Sequence, residues 1–327
     1  MTDTEIPPHK KYVITQEWSK GEHKLKPIRK VIDEDRDEFR EGLKEATSAP
    51  SKEQSSCYVD LQKAMKAWYE SIDLNEVQLN SIDFFLTNSD KYLSDKSGVA
   101  PDNTVIVRKN QDISYILNML GEIDEKTGQE VADYIIMMSA SHELYHATSP
   151  GKYTLVERKG QNGKTTQPCI ERYGLRYYSI YGQVNKDNHS GAYEEGLAVL
   201  SESRQKDVID KHFPLASRFF KQLNDRYKDK MPVGKLTDGD LSFYPTRYPE
   251  STKMVVTLHT IMRSAGFNIE KLEEEARVNH KTLQLARSID GVFGQGTYLE
   301  IVRANEETAS KITDLLESRL TSRTVFK

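Results

Sequence analysis

Ser141-His142-Glu143-Leu144-Tyr145-His146 reads His-Glu-x-x-His, and the rest of the chain is understood from it. It falls late in an unbroken helical run from Glu130 to Thr148. Two histidines four positions apart stand one above the other on a helix face. Both imidazoles can therefore reach a single Zn²⁺, which neutral ring nitrogens bind at about 2.0–2.1 Å. Glu143 follows the first histidine by one residue and leans to the side of the pair, where it can accept a proton from water instead of ligating the ion. Val131, Ile135, Met138, His142 and His146 step by four, three, four and four along one stripe. Ile136, Met137, Ala140, Leu144 and Ala147 cover much of the other side. A helix apolar nearly all round belongs at the centre of a fold, and histidines buried there need polar partners, which a metal would supply. The competing reading makes both of them ordinary core or surface histidines.

A catalytic zinc needs three protein ligands and an open position. The third is sought downstream, in Ala192-Tyr193-Glu194-Glu195-Gly196-Leu197-Ala198-Val199-Leu200-Ser201-Glu202. Taken alone, Glu194-Glu195 also reads as a solvated acid pair favoured by the helix dipole. A His-Glu-x-x-His helix followed by a helix carrying Glu-Gly-Leu-Ala resembles the gluzincin zinc metallopeptidases, whose third ligand is a glutamate on a second helix. The resemblance covers these two segments. It implies His142, His146 and Glu195 as metal ligands, Glu143 as general base, and peptide-bond hydrolysis by a zinc-activated water. Glu195 is matched, not Glu194, because it directly precedes Gly196; a glycine there also lets the two helices approach closely. A narrower resemblance, to the tubulin-tyrosine carboxypeptidase-like family, rests on the Glu-Glu-Gly-Leu-Ala helix and its tyrosine-rich approach. That family has three residues between the Glu and the second His, where this chain has two.

Gluzincins commonly use a Tyr or His to hold the oxyanion of the tetrahedral intermediate, since charge developing there needs a fixed donor. Tyr173, Tyr177, Tyr178, Tyr181, His189 and Tyr193 crowd the approach to Glu195, and Tyr298 lies in the glycine-rich stretch 290–298, readable as a mobile cleft loop. Tyr193 and Tyr298 are the catalytic candidates singled out. Glu202, two turns beyond Glu195, reads equally as a residue that orients a ligand and as a surface acid. The β-branched run Thr104–Lys109 is a strand, and the resemblance makes it the one that would pair with substrate backbone; a plain structural strand is equally compatible.

Elsewhere, amphipathic helices are expected over 31–47, 57–72, 76–93, 112–120, 207–228 (interrupted at Pro214), 252–265, 268–288 and 306–320. Asn162-Gly163 between extended runs marks a hairpin. The fold class expected is α+β, mainly helical: a zincin-like fold with a small sheet and an active-site helix pair. Residues 1–55 read as a polar N-terminal arm and helix, and 56–327 as the catalytic domain with a helical C-terminal part.

Among 327 residues, 29% are charged and 37% hydrophobic, and the net charge is −4. That balance excludes a general nucleic-acid grip, which needs clustered excess Lys and Arg. Cys57 and Cys169 are too few for a disulfide scaffold. No apolar run of signal-peptide or membrane-spanning length occurs, so a cytoplasmic protein is expected, with export by a non-classical route left open. The expected partner is a peptide or protein substrate, with no membrane; composition does not bear on oligomeric state. Two other classes fit the same residues: a zinc-binding interaction module without catalysis, against which an intact Glu143 argues, and a host-directed effector peptidase with one protein target.

Overall fold

A computed structural model describes residues 47–74, 82–89, 97–99, 104–110, 123–149, 151–160, 163–177, 191–227, 248–279 and 281–324, with Leu43, Val77 and Leu79. In chain order, β1 is Thr47–Ser48 and α1 is Lys52–Ser71. Strands β2 (Phe84–Thr87), β3 (Ser97–Val99) and β4 (Val105–Arg108) precede the long helix α2 (Glu125–Ala147). The hairpin β5 (Gly151–Gly160) and β6 (Gly163–Tyr173) follows, with the short β7 (Arg176–Tyr177). The rest is helical: α3 (Ala192–His212), α4 (Pro214–Tyr227), α5 (Pro249–Ser264), α6 (Ile269–Val278), α7 (Thr282–Phe293), α8 (Thr297–Arg303) and α9 (Glu306–Thr324). The described residues are thus mainly helical α+β, with two small sheets. No described helix is long and apolar enough to cross a membrane.

The centre is α2. Asp124 caps it by accepting from the Thr127 amide, and every residue from Tyr134 to Ala147 is buried, as its all-round apolar pattern requires. It packs on α1, α3, α4 and the strands β3 and β4. Helix ends are closed by carboxylates from other elements. Glu130 of α2 accepts from the Leu215 amide at the start of α4, and Glu306 accepts from the Glu250 and Ser251 amides at the start of α5. Such charged caps satisfy donors that a helix start leaves without partners.

Several elements differ from expectation. The run over 76–93 is not one helix: Phe84–Thr87 is β2, paired in parallel with β4 from Phe84↔Val105 to Thr87↔Arg108. A short apolar run is compatible with either state, and the pairing partner decided it. The four-stranded sheet runs β1-β2-β4-β3, so β4 lies between two strands. Its ladder bonds are taken on both sides, and it is not a substrate-pairing edge. Helix α1 begins at Lys52, ahead of the start expected at Cys57, because Ser51 and Gln54 form a reciprocal capping box. The helix expected over 268–288 is two, parted at Asn279, the C-cap of α6. The 290–298 stretch is a tight corner: Asp290 accepts from the Gly296 and Tyr298 amides, and Gly294 and Gly296 take positive φ. The long hairpin is present, with a register shift between Lys152 and Tyr153, and α4 starts at Pro214 as the proline dictates. The 112–120 helix and nearly all of the 31–47 helix lie outside the described residues; Thr47 itself belongs to β1.

Gly196 lets a helix approach closely, but the helix is α5, not α2. A Cβ at Gly196 would lie 2.6 Å from the Ser251 carbonyl oxygen and 2.6 Å from Val255 Cγ2. Backbone cannot yield as a side-chain tip does, so Gly196→Ala is expected to lower stability by about 1–3 kcal/mol, read as a drop in the denaturant midpoint. A variant as stable as wild type would show that α5 moves away freely.

His212, at the end of α3, bridges to Glu53 and Asp60 of α1. Burial opposes its protonation, yet those two carboxylates outweigh it and raise its pKa above the ordinary value. A folded pKa above the unfolded one means stabilisation complete below about pH 6.5 and lost as pH rises through the folded value. The stability gap between wild type and His212→Gln should therefore be wider at pH 5.5 than at pH 9. A gap independent of pH would remove the ion-pair account.

Candidate metal centre

The histidines of α2 and the first turns of α3 meet along one buried seam. His142 Nε2 lies 3.2 Å from His146 Nε2 and 3.1 Å from Glu195 Oε2, and His146 Nε2 is 3.5 Å from the same oxygen. A tetrahedral site with bonds of 2.0–2.1 Å has ligand–ligand edges of about 3.3–3.4 Å. The three donors therefore outline one face of such a tetrahedron, and the fourth corner falls to no residue of this group. Two ring nitrogens aimed at each other repel if both carry protons or both carry lone pairs, whereas a cation between them is attracted by all three donors. The residues fit a metal ion.

The far nitrogens of both rings face carboxylates. His142 Nδ1 is 3.3 Å from Glu202 Oε2, and His146 Nδ1 is 3.7 Å from Glu194 Oε1. Glu202 is close enough to accept Nδ1–H of His142, which fixes that tautomer and leaves the Nε2 lone pair for an ion, while Glu194 faces His146 Nδ1 as a charge. Glu202 thus sits where the first of its two readings puts it.

Glu194 is 1% exposed and Glu195 8%, so neither is a solvated surface acid. Burial alone raises the Glu194 pKa, but His146, Arg277 and the Leu175 amide outweigh it and hold the carboxyl below its ordinary value. Leu175 N donates to Glu194 Oε2 at 2.9 Å. Gly174, at φ +57°, makes that approach possible, for a Cβ there would lie 2.4 Å from Glu194 Oε1. Glu143 is buried on the same helix, and its charge is felt at His142.

Of the tyrosines singled out, Tyr193 is turned elsewhere. Its hydroxyl donates to Glu273 Oε1 at 2.6 Å, while Glu273 Oε2 meets His259 Nε2 at 2.7 Å. Held by a carboxylate in the core, that hydroxyl is not an oxyanion donor. Tyr298 packs against the core beside Tyr193, its amide tied to Asp290; it belongs to the corner described above and is not presented by a mobile loop. Tyr173 and Tyr177 lie in β6 and β7, and Tyr178, Tyr181 and His189 fall outside the described residues. Among the described residues, Tyr145 meets His146 edge-on with centroids 6.1 Å apart, and Tyr248 stacks on His142 with centroids 6.1 Å apart and planes 21° apart. The one sequence signal of Tyr248 is its place before Pro249, which starts a helix; nothing local ties it to a histidine more than a hundred residues earlier. Compared with protein-family models, curated proteins and solved structures, the chain matches none.

Burial disfavours a charged His142, but its bonds to Glu195 and Glu202 and the charge of Glu143 outweigh this and push its pKa up to about 10. Below that pH the metal-free ring keeps a proton that a metal must displace. Proton release on loading follows, and affinity climbs as pH rises from 6 toward 9. Calorimetry of zinc binding in buffers of different ionisation enthalpy measures the release. Heats independent of buffer would contradict this ligand set.

Proposed function

We propose that this protein is a zinc-dependent metallopeptidase of gluzincin type with a zincin-like arrangement of its active-site helix pair. The observation that carries the reading is the triangle of His142, His146 and Glu195, with donor separations of 3.1–3.5 Å suited to a tetrahedral ion. The three residues would hold Zn²⁺, which His and carboxylate ligands with an open position suit. When bound, that ion supplies a Lewis acid for a peptide carbonyl and lowers the pKa of water.

The chain's own residues do the rest. Glu143 takes a proton from the attacking water and passes it to the leaving amine, which departs neutral. Glu202 and Glu194 keep the imidazoles oriented. Tyr248, whose ring stacks on His142, takes the oxyanion-donor role for which Tyr193 and Tyr298 were the sequence candidates, since Tyr145, whose ring meets His146 at the same 6.1 Å, has its hydroxyl committed to Glu274. The substrate is a peptide or protein.

Purified protein incubated with a mixed peptide library, with and without a chelator, tests the reaction. Cleavage abolished by the chelator and restored by zinc is expected. Glu143→Gln should keep zinc while turnover falls by orders of magnitude, and Glu195→Ala should lose zinc on dialysis. Normal turnover in Glu143→Gln would remove the base, and zinc retained by Glu195→Ala would remove the third ligand. A zinc-loaded protein that cleaves nothing would leave the interaction module as the reading.

A further inference from the structure

Arg277 of α6 takes no part in the chemistry above, yet its side chain is wholly buried and each of its nitrogens has a partner. Nε donates to Glu274 Oε2 at 2.8 Å and Nη2 to the same oxygen and to the Tyr69 hydroxyl. Nη1 donates to the Tyr145 carbonyl at 2.8 Å and to the Ser149 hydroxyl. The guanidinium carbon lies 3.8 Å from the centroid of the Tyr145 ring, whose hydroxyl donates to Glu274 Oε1 at 2.7 Å.

The arm through Ser149 leads to the metal centre. Ser149 Oγ, receiving Arg277 Nη1–H, donates its own proton to Glu194 Oε1 at 3.3 Å. That carboxylate oxygen is the one facing His146 Nδ1. One buried cation thus serves two buried carboxylates, Glu274 by direct pairing and Glu194 through a hydroxyl. A clamp holding helices together needs only the first. The second arm, with Gly174 cut back to admit the Glu194 carboxylate, places a charged acceptor behind a ligand ring.

We propose that Arg277 is a positioning residue of the metal centre, acting through Ser149 and Glu194 on His146; this rests on the metal-centre reading and extends it into the core beneath. Arg277, through Ser149, holds the Glu194 carboxylate in one rotamer, so that Oε1 stays facing His146 Nδ1 and the ring keeps its Nε2 turned to the ligand triangle. Lysine at 277 keeps the charge but cannot serve Glu274, Tyr145 and Ser149 together in one planar fork.

Zinc dissociation constants by chelator competition test this, beside the denaturant midpoints of the metal-free proteins and the visible spectrum of Co²⁺-loaded protein. Ser149→Ala removes one hydroxyl and should weaken zinc roughly 10–100-fold, with Arg277→Lys weakening it similarly. Ser149→Ala should also alter the Co²⁺ bands, and it should add little further loss to Glu194→Gln, because both cut the same arm. Tyr69→Phe, which removes the hydroxyl met by Arg277 and Thr148 but leaves the Ser149 arm intact, should lower the midpoint and leave zinc affinity within about twofold. Should Arg277→Lys fail to fold, Ser149→Ala decides alone. A folded Ser149→Ala with wild-type zinc affinity and Co²⁺ spectrum overturns the proposal and leaves the metal centre standing; wild-type protein that binds neither ion overturns both.

Discussion

Carboxylates buried in a helix–helix seam must each be met by a cation or by hydrogen-bond donors, or the fold loses more in desolvation than packing returns. The seam between α2 and α3 holds Glu143, Glu194, Glu195 and Glu202, together with His142 and His146. Glu202 leans on one imidazole, Glu194 on the other, and Glu195 on both. Arg277 and the Leu175 amide complete the shell of Glu194. Negative charge still exceeds positive charge among these side chains, and a divalent ion at the histidine–glutamate triangle is the simplest way to redress the balance.

Surrounding elements follow from that demand. The seam has to be dry for its ion pairs to be strong, and the half of α2 from Tyr134 to Ala147 is accordingly buried throughout and largely apolar. Helix α5 closes over α3 at Gly196, where no Cβ would fit, and Tyr248, the N-cap before it, lands on His142. Glu306 of α9 secures the start of α5, so even the last helix bears on where Tyr248 sits. The Tyr193–Glu273–His259 set ties α3, α5 and α6 together below the seam. Tyr193, close to Glu195 in sequence, thus serves the core, while Tyr248, distant in sequence, packs on His142.

Legibility in the sequence tracked how local each cause is. His142 and His146 were readable because helical geometry alone puts i and i+4 on one face, and the burial of α2 followed from its pattern. Glu195 was matched through a motif, and Glu202 was placed by counting turns along the same helix. Helix periodicity failed at Phe84–Thr87 because four apolar-rich residues satisfy either state; the parallel partner at Val105 lies outside any local window. The break at Asn279 was signalled only by a residue tolerant of helix ends. Tyr248 and Arg277 were illegible for a different reason: each is defined by contacts across more than a hundred residues of chain, with no spacing rule to bring them forward.

The ends of the two helices add an argument that the ligand triangle alone does not contain. Glu194 and Glu195 stand in the first turn of α3, where the positive end of the helix dipole favours an ionised carboxylate. His146 stands in the last turn of α2, whose negative end favours a cation nearby. The two fields therefore act together: one keeps the carboxylate ligand charged, and the other lowers the cost of positive charge at the imidazoles. Such a field does not discriminate a metal from a proton, and neither do Glu195, Glu202 and Glu143, which raise the His142 pKa against the cost of burial. Geometry is what would favour a metal there. A proton satisfies one nitrogen–oxygen pair at a time, whereas an ion about 2 Å from each donor satisfies all three at once, and the carboxylates behind both rings hold the lone pairs aimed at that one point.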